Sequence, residues 1–121
     1  MEPQLGSSAI IPISSFPKVA QLVKNSSLYE VYDLSLARLV VSMTVLWEGK
    51  STTGHMHEDS EEVYIFVEGT AEIQLGDREK EDVTSGDIVV VPPGVFHRVF
   101  NNGSDAVRMI CIFEKYDGRG Q

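Results

Sequence analysis

Three histidines and a run of carboxylates fall within one stretch of the chain. His55 and His57 are separated by one residue, and the remaining histidine of the sequence is His97. Side chains of an extended strand alternate between its two faces, so residues two positions apart project to the same side. His55 and His57 can therefore bind one metal ion together. The carboxylate-rich run 58–62 follows this pair directly and offers oxygen ligands.

The bulk composition indicates one folded, soluble domain. The 121 residues are 42% hydrophobic and 23% charged, close to the average of globular proteins. Eighteen acidic residues against 10 basic ones give a formal net charge of -8, which opposes contact with the phosphates of nucleic acids. A single cysteine, no signal-peptide pattern and no apolar run of membrane-spanning length favour a cytoplasmic protein without membrane contact.

The first part of the chain, 1–27, differs in texture from the rest. It begins with residues rich in Ser, Pro and Gly, interrupted by an apolar patch at 10–13. A short helix is predicted over 16–24, because apolar residues recur there at helical spacing after Pro17, and proline suits the first turn of a helix. We interpret this part as an N-terminal arm with a short helix.

The remainder of the chain has the rhythm of an all-β domain. Short runs rich in Val, Ile, Leu, Tyr and Phe are broken by turn residues at intervals of about eight to twelve residues. That pattern is typical of a β-sandwich or β-barrel. The domain is predicted over 28–116, followed by a polar tail over 117–121. Strands are predicted over 28–34, 36–47, 62–67, 70–75, 79–83, 87–91, 97–100 and 107–113.

Two sequence motifs resemble the conserved signatures of the cupin family. The first, G-x5-H-x-H-x4-E-x6-G, consists of Gly49, His55, His57, Glu62 and Gly69. The second, G-x5-P-x-G-x2-H-x3-N, consists of Gly86, Pro92, Gly94, His97 and Asn101. The short spacer 70–85 is similar to that of small single-domain cupins. The resemblance implies an all-β, double-stranded β-helix (jelly-roll) barrel of the RmlC-like cupin superfamily.

The same resemblance implies that His55, His57, Glu62 and His97 are metal ligands. Three imidazoles and one carboxylate suit a divalent transition metal, namely Fe, Mn, Ni, Cu, Co or Zn, because these donors are of intermediate hardness. Four protein ligands leave about two positions free on a six-coordinate ion. The alternatives are histidines that only form hydrogen bonds in the fold, and an ion that only braces the barrel.

Other carboxylates of the acidic run, Glu61 among them, compete with Glu62 for the ligand position. Only Glu62 keeps the six-residue spacing to the last glycine of the first motif. With Glu62 directed inward, strand alternation places Tyr64 and Phe66 on the same side. Tyr64 is therefore predicted to orient a substrate through its hydroxyl group, with simple core packing as the alternative.

Three arginines and the single cysteine lie in the predicted strands, and Arg98 is a candidate anion ligand beside His97. Arg98 follows His97 directly, so alternation directs it to the opposite face, where we interpret it as a solvated or interface charge. The inward or outward register of Arg38 and Arg108 stays open. Cys111 alternates with apolar neighbours and is interpreted as a small buried hydrophobic residue.

Three functions are compatible with these features. The leading hypothesis is a metal-dependent enzyme with dioxygenase-like or lyase-like chemistry on a small organic molecule. The second is a sugar or sugar-phosphate isomerase, because the segment 52–57 resembles the Thr-x-Gly-His-x-His segment of cupin-type glucose-6-phosphate isomerases. Acidic surroundings without an evident inward Lys or Arg disfavour phosphate. The third is a non-catalytic module that binds a small ligand in the barrel. The family resemblance and the apolar patch at 10–13 also predict a homodimer.

Overall fold

Two antiparallel sheets face each other in the computed structural model, which describes residues 8–116. Within that range the strands are β1 Gln21–Asn25, β2 Tyr29–Ser35, β3 Leu39–Leu46, β4 Glu62–Glu68, β5 Thr70–Leu75, β6 Glu81–Thr84, β7 Ile88–Val91, β8 His97–Phe100 and β9 Val107–Glu114. The larger sheet has the order β1-β2-β3-β9-β4-β7, and the smaller one has the order β6-β5-β8. This is a double-stranded β-helix, and it confirms the predicted all-β jelly-roll class.

The barrel core lies between the two sheets. It is built from alternate residues of each strand, as the two-residue side-chain period of a strand requires. On β4, for example, Glu62, Tyr64 and Phe66 are buried, whereas Val63 and Ile65 are only half-buried on the other face. The smaller sheet contributes inward residues such as Ile73, which is 1% exposed.

A second apolar cluster covers part of the outer face of the larger sheet. A single 3₁₀ turn, Ile13–Ser15, and a short helix, α1 Phe16–Val19, carry Phe16 onto the outer residues Leu34, Met43 and Ile110. Pro17 occupies the first turn of α1, as expected for a residue without a backbone N–H. The N-terminal segment therefore packs on the barrel wall outside the core.

The short helix ends earlier than the sequence predicts. Ala20 is already extended, and the residues predicted as the end of the helix form β1, which pairs with β2 along Gln21–Asn25. The Ser26 side chain accepts hydrogen bonds from the backbone N–H groups of Leu28 and Tyr29 and stabilises the turn between the two strands. A helix of two turns gains little by itself, so pairing with a neighbouring strand decides the conformation.

The other predicted strands agree closely with the structure. The bounds of β5 and β8 are those predicted, and the bounds of the remaining strands differ by one to three residues. Arg38, predicted inside a strand, lies instead in the exposed connection between β2 and β3. The predicted tail, 117–121, lies outside the described residues. No helix within 8–116 is long and apolar enough to cross a membrane.

Candidate metal centre

The segment that carries His55 and His57 is held against β8 by backbone hydrogen bonds. The N–H of His55 donates to the carbonyl oxygen of His97 at 3.1 Å, and the N–H of His97 donates back to His55 at 2.9 Å. The N–H of Thr52 donates to Val99, and the N–H of Gly94 donates to His57. The segment is extended, but it pairs with β8 through isolated bridges at Ser51 and His55, without forming a regular strand. These bonds place the first motif beside the histidine of the second.

Gly54 fixes the turn of the chain just before His55. Its φ angle is +80°, in the left-handed region that favours glycine. A Cβ atom built there would lie 2.5 Å from Cζ of Phe96. Both the backbone conformation and the close Phe96 ring therefore require glycine at this point.

The structure brings together the four residues predicted as ligands. Their donor atoms all lie within 4.8 Å of one another. Oε1 of Glu62 is 3.3 Å from Nε2 of His97, 3.5 Å from Nε2 of His57 and 3.9 Å from Nε2 of His55. The Nε2 atoms of His55 and His97 are 3.0 Å apart. Three imidazole nitrogens and one carboxylate oxygen thus converge on a single small volume.

Glu62 is the buried anion of this cluster. It is 4% exposed, whereas the competing Glu61 is exposed and points away. Burial by itself raises the pKa of the Glu62 carboxyl, but polar contact with His55 and His97 and the positive charge these rings can carry outweigh it, and the pKa falls to about 2. Glu62 is therefore a carboxylate at any physiological pH.

The cluster has the properties expected of an ion-binding site. Nδ1 of His97 lies 3.1 Å from the carbonyl oxygen of Val95, which only accepts hydrogen bonds, so Nδ1 carries the proton and Nε2 presents a lone pair to the centre. Oε1 of Glu62 is buried and has no hydrogen-bond partner among the described residues. Separations of 3.0 to 3.9 Å suit neighbouring ligands that each lie about 2.0–2.2 Å from one ion. The donor set fits a divalent transition metal.

The cluster opens into a cavity of about 250 Å³ inside the barrel. Tyr64 lines this cavity, is 6% exposed, and has its ring 5.6 Å from that of His97, on the inward side that alternation predicts. Cys111 also lines it and is buried, as predicted. The full lining consists of Val23, Lys24, Tyr29, Val31, Ser42, Thr44, Thr52, Thr53, His55, His57, Glu62, Tyr64, Met109, Cys111 and Tyr116. The cavity has room for a small metabolite.

Several polar cavity residues are absent from the sequence-based predictions. Lys24 lies on β1, in the part predicted as helix, and although exposed it borders the cavity, where no Lys or Arg was expected. Ser42 and Thr44 are buried on β3, and their two-residue spacing is the signal that would have indicated them. Tyr116 follows β9, and its ring lies 4.9 Å from that of His57.

Of the three arginines considered in the sequence analysis, Arg98 and Arg108 also lie outside the cavity lining. Arg98 is on the face opposite to His97, as predicted, but it is half-buried and donates hydrogen bonds to the carbonyl oxygen of Thr52 and the hydroxyl of Ser51. Its side chain therefore fastens the segment that leads to the histidine pair, which corrects the interpretation of a solvated charge. Arg108 forms an ion pair with Glu68 at 2.9 Å on the outer side of the barrel.

The fold is a double-stranded β-helix barrel, and three imidazoles and one carboxylate meet at its cavity. These two features together define a class of barrel proteins whose donor residues are of the metal-binding type. A family model described as the cupin domain matches residues 42–113, more than half of the chain. The chain belongs to the cupin family, in agreement with both sequence motifs.

Curated relatives share the barrel region of this chain. An uncharacterised protein of Methanocaldococcus jannaschii is 33% identical over 85 residues, which cover 70% of this chain and 63% of that protein. Acireductone dioxygenases of Puccinia graminis and Saccharomyces cerevisiae are 32% and 30% identical over 65 and 66 residues. Those matches cover 50% of this chain and 35% and 36% of the two enzymes. The chain thus spans less than two-thirds of each of these relatives.

Solved structures show the same fold at low sequence identity. A conserved protein of Klebsiella pneumoniae with a double-stranded β-helix domain superposes with a TM-score of 0.76 at 17% identity, covering 95% of both chains. An RmlC-like cupin of Shewanella frigidimarina has a TM-score of 0.71 at 21% identity, covering 86% of this chain and 91% of that one. These likenesses establish the architecture of the barrel.

Proposed function

We propose that this cupin is a metal-dependent enzyme that acts on a small organic molecule, with His55, His57, Glu62 and His97 as the metal ligands. The observation that carries the proposal is the convergence of three Nε2 atoms, beside a cavity, around the buried Oε1 of Glu62, which has no hydrogen-bond partner among the described residues. A purely structural ion is normally enclosed by its ligands, whereas this donor set borders space for a small molecule.

Different residues of the chain would have different roles at such a site. A divalent transition ion bound here would supply a Lewis acid with coordination positions left for substrate. Glu62 contributes one negative charge, and the Val95 carbonyl fixes the ring of His97. The apolar parts of Val31 and Met109 limit the entry of water into the cavity. We assign to Tyr64 the role of orienting the substrate, because its side chain lines the cavity beside His97.

Dioxygenase-like chemistry is the reaction type that we favour, with lyase-like chemistry next. The acireductone dioxygenases are relatives at 30% identity or more over half of this chain, and an open three-histidine, one-glutamate donor set suits redox-active metals such as iron. The sugar isomerase hypothesis depends on the segment 52–57. Within that segment the Thr52 hydroxyl accepts a hydrogen bond from the N–H of Val99, so it is already engaged in holding the segment to β8.

The decisive experiment combines metal analysis with turnover in His57→Ala and Met56→Ala. Met56 is the matched control, since it lies between the two histidines and is 46% exposed. We expect elemental analysis to find close to one transition-metal ion per chain in the wild type and the control, and a large loss in His57→Ala. Oxygen uptake and product formation are then measured with enediols, 2-oxo acids and sugar phosphates.

The outcomes of this experiment test the ligand set and distinguish the three candidate functions. Full metal content or full turnover in His57→Ala would contradict the proposed ligand set. Conversion of sugar phosphates without oxygen uptake would favour the isomerase. A loaded protein that binds these compounds but converts none of them would identify a binding module.

We also propose that the protein forms a homodimer through the outer face of its larger sheet. Ile88 and Val90 are 65% and 61% exposed on the edge strand β7, and Ile10 of the N-terminal segment is 97% exposed. Neighbouring exposed apolar residues are typical of an association surface. We call Ile88 and Val90 the outer apolar strip.

A further inference from the structure

A lysine and a tyrosine form a polar pair in the cavity, separate from the histidine cluster. Nζ of Lys24 donates a hydrogen bond of 2.8 Å to the hydroxyl oxygen of Tyr29, and it lies 4.8 Å from the centre of the Tyr29 ring. The same hydroxyl is 3.3 Å from Oγ1 of Thr53. All three residues line the same cavity as His55, His57 and Glu62. The hairpin of β1 and β2 thus adds a second polar group to the site.

The charge of the cavity indicates which ligands it can accept. Among the described lining residues, Lys24 is the only Lys or Arg, and Glu62 is the only carboxylate. A divalent ion, one carboxylate and one ammonium group together carry a net charge near +2. An anionic ligand compensates such a charge better than a neutral one. The cavity of this acidic protein would therefore favour anions once it is loaded.

Lys24 is an exposed residue of β1 that makes one hydrogen bond to Tyr29 and still has donors to offer. An ammonium group has three N–H donors, and the only hydrogen-bond acceptor of Lys24 among the described residues is Tyr29. None of the ion pairs in the described part of the chain involves Lys24. Two N–H groups therefore remain for a ligand, and a charged donor on an anion makes a strong hydrogen bond.

Lys24 affects the pKa of the Tyr29 hydroxyl group. Its ring is buried, and burial by itself raises the pKa of the phenol. The hydrogen bonds from Lys24 and Thr53 and the charge of Lys24 outweigh burial and lower the pKa below its ordinary value. The pair is thus electrostatically coupled in the folded protein.

We propose that Lys24 and Tyr29 form an anion-binding subsite that selects small substrates with a carboxylate at the end remote from the metal. This deepens the proposed function and rests on it for the metal-bound end of the substrate. A single ammonium group and one hydroxyl supply the few donors that one carboxylate accepts. The substrate class is therefore a small organic acid with two anionic or chelating ends.

The test compares ligands that share a chelating end and differ at the remote end. The purified, metal-containing protein is titrated calorimetrically with lactate, malate, 2-hydroxyglutarate and 3-phosphoglycerate. All four carry a 2-hydroxy acid group. Lactate lacks a remote anion, the next two carry a remote carboxylate, and the last carries a remote phosphate.

Three variants assign the preference to Lys24. Lys24→Met removes the charge and keeps a similar length, Lys24→Arg keeps the charge, and Lys18→Met alters a lysine on α1 that does not line the cavity, as the control. We expect the better of the two dicarboxylates to bind the wild type about tenfold more tightly than lactate. Lys24→Met should abolish this preference without changing lactate affinity, and the other two variants should keep it.

A second titration separates this subsite from the metal. Glutarate has no chelating hydroxyl, and in chelator-treated protein we expect it to bind the wild type several-fold more tightly than Lys24→Met. Equal affinities for glutarate, or a preference for the remote carboxylate that survives in Lys24→Met, would overturn the subsite. A preference for 3-phosphoglycerate over both dicarboxylates would overturn its assignment to carboxylates. A normal glutarate result without any lactate binding would contradict the metal function and support the subsite.

Discussion

The two faces of the larger sheet have opposite character, although the same strands form both. On β4, Glu62 and Tyr64 point into the barrel, and Val63 and Ile65 point outward. The inner face thus contributes an ionised carboxylate and hydroxyl groups to the cavity, whereas the imidazoles come from β8 of the smaller sheet and the segment paired with it. The outer face holds an apolar cluster and, at its edge, the outer apolar strip.

The polar cavity and the exposed apolar strip are both departures from the otherwise apolar core and polar surface of a simple soluble barrel. Buried polar groups are costly unless they are partnered, so their accumulation inside the barrel indicates a binding site. Exposed apolar residues gathered at one edge support the association surface that we propose. A one-residue step along a strand moves the side chain from the inner face to the outer face. Neighbouring residues on a strand are therefore matched controls for each other.

The largest effect should come from the core residue Phe66 compared with its outward neighbour Val67. Phe66 is fully buried, and Phe66→Ala should lower the free energy of unfolding by about 3–5 kcal/mol through lost packing and a new cavity. Val67 is half-buried in the outer cluster, and Val67→Ala should cost about 1 kcal/mol. Urea unfolding followed by circular dichroism measures both. Equal losses would show that the two faces contribute alike to stability.

The next effect is on metal affinity, with Glu62 and Glu61 as the matched pair. Glu62→Gln removes the buried negative charge and one oxygen ligand, and it should weaken binding of Co²⁺ or Zn²⁺ at least about 100-fold, since loss of an outer-shell partner alone costs about 10–100-fold. Glu61→Gln should leave the affinity unchanged, because that side chain is exposed. Competition with a chromophoric chelator gives both constants. A large loss in Glu61→Gln would reassign the ligand.

A smaller effect is expected at the outer apolar strip. Ile88→Glu places a charge on the exposed edge strand and should weaken self-association about tenfold or more, with a change in the free energy of unfolding of the separated chain within about 0.5 kcal/mol. Thr84→Glu, exposed on the smaller sheet, is the control. Sedimentation equilibrium measures the association. A wild-type protein that is monomeric at micromolar concentration would exclude the proposed dimer.

The fold could be predicted from the sequence wherever alternation and turn residues act locally. Strands β5 and β8 have their predicted bounds because glycine- or proline-containing turns flank them closely. β1 could not be predicted, because five residues with two apolar side chains suit a helix as well as a strand. Its conformation is decided by pairing with β2 in a hairpin, and the alternation within β1 is too weak to show that pairing in the sequence.

The same distinction applies to the candidate site. The four donor residues lie within two motifs whose spacing is visible in the sequence, and the structure brings them together. Lys24 reaches the cavity only because β1 is a strand at the edge of the larger sheet. Residues that join a site through strand pairing outside a motif therefore escape prediction, whereas residues that carry a motif do not.

The smallest expected effect is on KM, and it should differ between two tyrosines on opposite faces of the larger sheet. Tyr64 lines the cavity, and Tyr32 lies in the outer cluster with its hydroxyl donating to Glu30 at 2.8 Å. Because each ring is kept, Tyr64→Phe and Tyr32→Phe should each change the free energy of unfolding by no more than about 1 kcal/mol. Neither should alter metal affinity.

Only Tyr64, the tyrosine that lines the cavity, should affect the binding of the substrate. If the Tyr64 hydroxyl orients it, Tyr64→Phe should raise KM by about five- to tenfold, the value of one hydrogen bond, and Tyr32→Phe should leave KM unchanged. Steady-state kinetics with the substrate found in the turnover experiment give both values. An unchanged KM and kcat in Tyr64→Phe would reduce Tyr64 to core packing, and the polar selection of substrate would then depend on the hairpin of β1 and β2, where Lys24 and Tyr29 lie.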